Sequence, residues 1–133
     1  MLTSNFESPL PLIGCGIDAE SVDRFRRYDL RDNPLPMVFS SDEISHIRSL
    51  SDRALGLCAS FCCKEALFKA LGKPYTFNQC HLFYEPHTDL HHPTLSLTTD
   101  QLPEIGDCTI RFLHPRPGEL VAVAHLFGLE EKS

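Results

Sequence analysis

The chain has 133 residues, 42% of them hydrophobic and 23% charged, the size and composition of one ordinary globular domain rather than of a disordered chain. Its formal net charge of −6 argues against a general nucleic-acid binder, because a phosphate backbone demands basic surface, yet it leaves room for a local basic pocket around a phosphorylated small molecule. No stretch is apolar for long enough to cross a bilayer, and the start MLTSNFESPLPLIGCG lacks the basic residues and sustained apolar run of a secretory signal, so no membrane partner and a cytoplasmic location are expected.

Residues 1–11 hold two prolines and little pattern, and read as a flexible lead-in to one domain over 12–129. LIGCGID, residues 12–18, is a short apolar run with two glycines that closes on an acid, which predicts a buried strand ending at Asp18. AESVDRFRRYD then places Val22, Phe25 and Tyr28 on one side of a short amphipathic helix, which RDNPLP breaks. Ser40 or Ser41 ahead of Asp42 and Glu43 is a helix start, with Ile44, Ile47 and Leu50 on the buried side. Ser51 and Asp52 open a longer helix that runs to Leu71, where Gly72 stops it and Pro74 follows. CHLFYE, TLSLT, CTIRFLH and LVAVAHLF read as strands, the last apolar enough to be central or to lie at an interface. The order predicts an α+β fold, a long helix packed on an antiparallel sheet of about three to five strands.

The long helix raises a question. FCCKEALFKALG, residues 61–72, is apolar almost all round, yet Lys64 and Glu65 sit in its middle. Glu65 shares a face with Phe61, Cys62 and Phe68, and a buried carboxylate is costly unless it is paired or bound to a cation. Lys69, four residues on, offers an ordinary helical salt bridge. GCGIDAE supplies a second acidic pair: in an extended segment Asp18 and Glu20 point the same way, toward one cation or, more plainly, toward solvent at a strand end. A few carboxylates with water and phosphate oxygens is how Mg²⁺ is usually held.

GIDAE, FSSDEI and FCCKEALFKALG, in this order and at this spacing, resemble the motifs of the 4′-phosphopantetheinyl transferases, and the resemblance covers about residues 13–127. The length is similar to the short holo-acyl-carrier-protein synthase subfamily, whereas the Asp-x-Glu spacing is similar to the longer surfactin-type subfamily. The resemblance implies transfer of 4′-phosphopantetheine from coenzyme A to a serine of an apo acyl or peptidyl carrier protein, with Mg²⁺ as cofactor, 3′,5′-ADP as product, and fatty-acid or polyketide synthesis as the setting. It implies Asp18, Glu20 and Glu65 as metal ligands, with Glu20 alternatively orienting the attacking serine. Lys64 and Lys69 would meet phosphate, so Glu65, Lys64 and Glu20 form the expected catalytic set. Arg24, Phe25, Arg26 and Arg27 would suit docking of an acidic carrier, or simply form a solvated basic face. A homo-oligomer, trimer ahead of dimer, follows by analogy.

Other readings weigh less. The family's His-x-Ser motif is not found: CTIRFLH has Cys108 or Thr109 where the histidine would fall, with His114 near a second position. That departure motivates the alternative of a catalytically degenerate relative acting in binding or assembly. His87, Asp89, His91 and His92 in YEPHTDLHHP match no closed zinc spacing and read as a solvated loop, while His46 and His125 suggest no role. The six cysteines, Cys15, Cys58, Cys62, Cys63, Cys80 and Cys108, contain no CxxC pair and read as reduced thiols. Burial in an apolar helix disfavours Cys62 or Cys63 as a nucleophile.

Overall fold

A computed structural model of the chain describes residues 10–72 and 105–129. Among the described residues, three antiparallel strands form one sheet: β1 (Leu12–Ser21), β2 (Ile105–Leu113) and β3 (Glu119–Gly128) in the order β1-β3-β2. The α-helices described between β1 and β2 in sequence are α1 (Ser41–Arg48) and α2 (Arg53–Leu71), and α2 packs on β1 and β3. The predicted α+β architecture, a long helix on an antiparallel sheet, is therefore the observed one. The expected strands CHLFYE and TLSLT lie outside the described residues, as do the His87–His92 loop, Cys80 and all but the last two residues of the lead-in.

Local signals set the helix ends. The Ser40 side chain accepts the Glu43 amide while the Glu43 carboxylate accepts the Ser40 amide, a reciprocal capping box that starts α1. The Asp52 carboxylate accepts the Leu55 amide and starts α2, and Gly72, at φ 65°, supplies the left-handed stop. Two expectations shift by a few residues. β1 continues past Asp18 to Ser21, because Asp18 to Ser21 pair in register with Ala122 to Glu119 of β3. The expected helix after it is only a 3₁₀ turn, Val22–Phe25, which buries Val22 and Phe25. The residues before that turn are already committed to the ladder.

β3 is the central strand, as LVAVAHLF suggested. Leu120, Ala122, Ala124 and Leu126 are buried under α2, and they alternate with half-buried Val121, Val123, His125 and Phe127 on the outer face. α2 lies unusually close to β1 because both contribute small residues. A side chain at Gly14 would run into the Ala70 carbonyl oxygen, and one at Gly16 into that of Ala66. The two glycines of GCG thus let strand and helix meet backbone to backbone.

Candidate active site

That close approach builds the site. Gly14, Gly16, Asp18 and Glu20 lie on the helix side of β1, so Asp18 and Glu20 extend along the seam just beyond the glycine contacts with α2. The Cys62 thiol, inside α2, donates to the Asp18 backbone carbonyl at 3.0 Å and helps hold that residue. From the next turns of α2, Lys69 reaches across the seam. Its ammonium donates to Asp18 Oδ1 at 3.0 Å and to the Ile17 carbonyl at 2.9 Å. The Asp18 side chain is only 13% exposed, and its Oδ2 is buried with no hydrogen-bond partner. An orphaned carboxylate oxygen of this kind is what a bound cation would satisfy.

Glu20 sits two residues on and is ion-paired to Arg24 at 2.7 Å. Glu65 completes the set. Burial pushes its carboxyl above the ordinary glutamate value, and the Asp18 charge adds to that; Lys69 opposes, Glu20 raises and Arg24 opposes again. The charges of Asp18 and Glu20 are therefore both felt at Glu65. Among the described residues no three ligating side chains are already drawn onto a single metal position. Lys69 and Arg24 hold two of the carboxylates as ion pairs instead. In donor chemistry, the unsatisfied Asp18 Oδ2 is a hard carboxylate oxygen of the kind that Mg²⁺ takes. Glu20 also borders an open cavity of about 320 Å³ with Ala19, Ser21, Glu119, Leu120 and Val121.

Lys64 is placed elsewhere. It is fully buried, donates to Glu43 Oε1 at 2.9 Å and to the Val38 carbonyl at 2.8 Å, and lies 5.2 Å from the centroid of the Phe39 ring. The expectation that Lys64 meets a phosphate does not hold in this arrangement, because its ammonium is held within the core by Glu43. Glu43 is the residue sequence reasoning missed. The signal was present: the capping box puts it in the first turn, four residues before buried Ile47 and so on the inward face.

Phe25 likewise departs from its expected docking role. Its ring is 2% exposed and packs against Tyr28 and Phe61, with centroids 5.9 and 5.4 Å away. Arg24 lies over both Phe25 and Phe61, and Arg27 over Tyr28, so the guanidinium groups remain at the surface while the aromatic is core. Arg26 is paired with Asp23 at 2.7 Å. Burial disfavours the thiolates of two cysteines of α2, pushing Cys58 up to about 12 and Cys62 higher still.

Among the described residues, a long helix on a three-stranded antiparallel sheet, with acidic residues along their seam, makes up an α+β domain. The family model of the 4′-phosphopantetheinyl transferase superfamily matches residues 14–122, and the chain belongs to this family of enzymes. Among solved structures it is similar to a holo-(acyl-carrier-protein) synthase from Bacillus anthracis in complex with CoA (3′,5′-ADP), at 20% identity and a TM-score of 0.67 over 89% of this chain and 98% of that one. It is also similar to the Mycobacterium tuberculosis acyl carrier protein synthase, at 21% identity and a TM-score of 0.62 over 89% and 99%. The holo-[acyl-carrier-protein] synthase of Thermotoga maritima matches at 21% identity and a TM-score of 0.66, over 89% of this chain but 65% of that one. At these identities the likeness is one of fold. Comparison with curated proteins gives no match. Among the described residues, no helix is long and apolar enough to cross a membrane.

Proposed function

We propose that the chain is an Mg²⁺-dependent transferase that moves the 4′-phosphopantetheine of coenzyme A onto a serine of an apo acyl or peptidyl carrier protein and releases 3′,5′-ADP. The observation that carries this reading is the seam between β1 and α2, where Asp18, Glu20, Glu65 and Lys69 come together in a chain of this family. Asp18, Glu20 and Glu65 would hold Mg²⁺, which when bound neutralises charge developing on the pyrophosphate. Lys69 exchanges Asp18 for a phosphate oxygen and stabilises the leaving nucleotide. The serine oxygen bonds to the β-phosphorus as the bridging oxygen to the α-phosphate departs. The serine proton passes to an oxygen of the carboxylate cluster that does not hold the metal. Glu20 orients the serine or serves as a further ligand, and its Oε1 is shared with Arg24.

Arg24 and Arg27 suit an acidic carrier surface. The outer sheet face carries Ile17, 55% exposed, with Leu113 and half-buried Val121, Val123 and Phe127, which supports a homo-oligomer; trimer ahead of dimer rests on family analogy alone. Cys58, Cys62 and Cys63 are buried thiols outside any disulfide, consistent with a reducing, cytoplasmic setting in fatty-acid or polyketide synthesis.

The test is transfer from coenzyme A to an apo acyl carrier protein, read as the mass gain of one phosphopantetheinyl group. Wild type should modify the carrier only with Mg²⁺ present. Full activity in a folded Glu65→Ala variant would sink the site assignment. One observation favours the alternative of a degenerate, non-catalytic relative: β2 bears Cys108 and Thr109 where the family's histidine was expected. Calorimetric titration with coenzyme A separates the two, since the degenerate reading expects no binding with or without Mg²⁺.

A further inference from the structure

The Glu20–Arg24 ion pair, at 2.7 Å, is tighter than the 3.0 Å pair between Lys69 and Asp18 beside it. Glu20 is largely buried on the helix side of β1, two residues from Asp18. Arg24 is about half exposed, and its guanidinium lies 5.4 Å from the centroids of both Phe25 and Phe61. One face of Arg24 thus neutralises a carboxylate of the candidate metal set while the other is open to an approaching molecule.

We propose that Arg24 is a tethered counter-cation that competes with a divalent metal ion for Glu20, and that an acidic side chain of the protein substrate relieves this competition by drawing Arg24 away. The proposal rests on the reading of the seam as a metal site. A cation entering the seam finds Glu20 already paired, so its apparent affinity is lowered by the fraction of molecules in which Glu20 is free. An acidic partner offers Arg24 a second carboxylate at its exposed face, which leaves Glu20 to join Asp18 and Glu65. Metal binding and partner docking are then coupled through one side chain, and each strengthens the other by the same factor. The Phe25 and Phe61 rings keep the guanidinium close in either state, so the exchange needs only a local swing of the side chain.

The experiment is titration of the full chain with Mn²⁺, a paramagnetic stand-in for Mg²⁺, followed by electron paramagnetic resonance, on wild type, R24Q, E20Q and R24Q/E20Q. Circular dichroism confirms that each is folded. R24Q should bind Mn²⁺ about two- to fivefold more tightly than wild type, the range of an exposed ion pair removed as competitor. In the E20Q background the same change should have no effect. An apo acyl carrier protein, corrected for its own Mn²⁺ binding, should tighten binding by wild type and not by R24Q. Unchanged or weaker binding by R24Q overturns the proposal, as does a gain that persists in R24Q/E20Q, which would reveal only a general field effect. A carrier effect retained in R24Q removes the partner's part in it. If wild type binds no Mn²⁺ in a manner lost on Asp18→Asn, the metal reading itself fails, whereas Asp18-dependent binding that ignores Arg24 sinks this proposal alone.

Discussion

Two charged residues that are neighbours in α2 face different surroundings and meet opposite fates. On one side, Lys64 is sealed in the core against Glu43, the Val38 carbonyl and the Phe39 ring. On the other, Glu65 looks onto the seam with β1, where charges are only partly matched: Asp18 Oδ2 lacks a partner, Lys69 is 51% exposed, and the Glu65 carboxyl resists ionisation. The first arrangement satisfies its charges within the protein and so acts as structure. The second leaves them incompletely satisfied and so retains capacity for a ligand. Loss of a group on the Lys64 side should therefore be felt mainly as lost stability, and on the Glu65 side mainly as lost activity.

The largest stability effect is expected at the sealed pair. Lys64→Met leaves the Glu43 carboxylate buried without its cation and should cost about 3–5 kcal/mol in chemical denaturation. Glu43→Leu should also be strongly destabilising, because it removes the capping acceptor as well. The double variant, with no charge left to strand, should lose far less than the sum of the two. Additive losses would show that the residues act separately and would break the comparison. Gly16→Ala comes next. Its methyl group meets the Ala66 carbonyl, so strand and helix must part, with a loss of about 1–3 kcal/mol and a parallel fall in transfer activity as Asp18 moves away from Lys69.

Asp18→Asn should separate the two regions most clearly. Its partner Lys69 is half exposed, so the ion pair is worth about 1 kcal/mol at most, and the denaturation midpoint should move little. Transfer activity, by contrast, should fall by about a hundredfold or more, the scale seen when a group that stabilises transition-state charge is removed. A variant that loses stability and activity in proportion would mean that Asp18 is another structural residue.

These contrasts were only partly legible in the sequence. The helix starts at Ser40 or Ser41 and at Ser51–Asp52, the stop at Gly72 and the shared direction of Asp18 and Glu20 follow from local rules, and they hold, with Ser40 and Asp52 as the caps. Partners distant in sequence were not legible. Lys64 and Glu43 are 21 residues apart and Lys69 and Asp18 are 51 apart, so both pairs exist only once α1 and β1 are folded against α2. Helical spacing alone pointed Lys69 back at Glu65. The glycines of β1 bring the strand close enough for Asp18 to take it instead. Phe25 read as a docking ring because the arginines around it are surface residues, yet a 3₁₀ turn sends every third side chain inward, and Val22 and Phe25 both follow.

The smallest effect is also the most diagnostic of the seam. With its carboxyl pushed above the ordinary value of 4.5, Glu65 holds its proton more tightly in the folded chain than in the unfolded one. The stability associated with that proton is fully present below pH 4.5 and is lost as pH rises through the folded-state value. Glu65→Gln cannot ionise. The difference in Tm between this variant and wild type should therefore widen in favour of the variant across that window and level off above it. Burial is the leading cause of the shift and the Asp18 charge the next, so the pH-dependent part of the difference should shrink but not vanish in an Asp18→Asn background. Saturating Mg²⁺ should act in the opposite sense. A cation among these carboxylates favours the ionised form of Glu65, so wild type gains stability as the pH rises and overtakes the variant. If Mg²⁺ leaves the pH dependence of wild type unchanged, the charge on Glu65 does not serve a metal, and the seam belongs with Lys64 on the structural side of the helix.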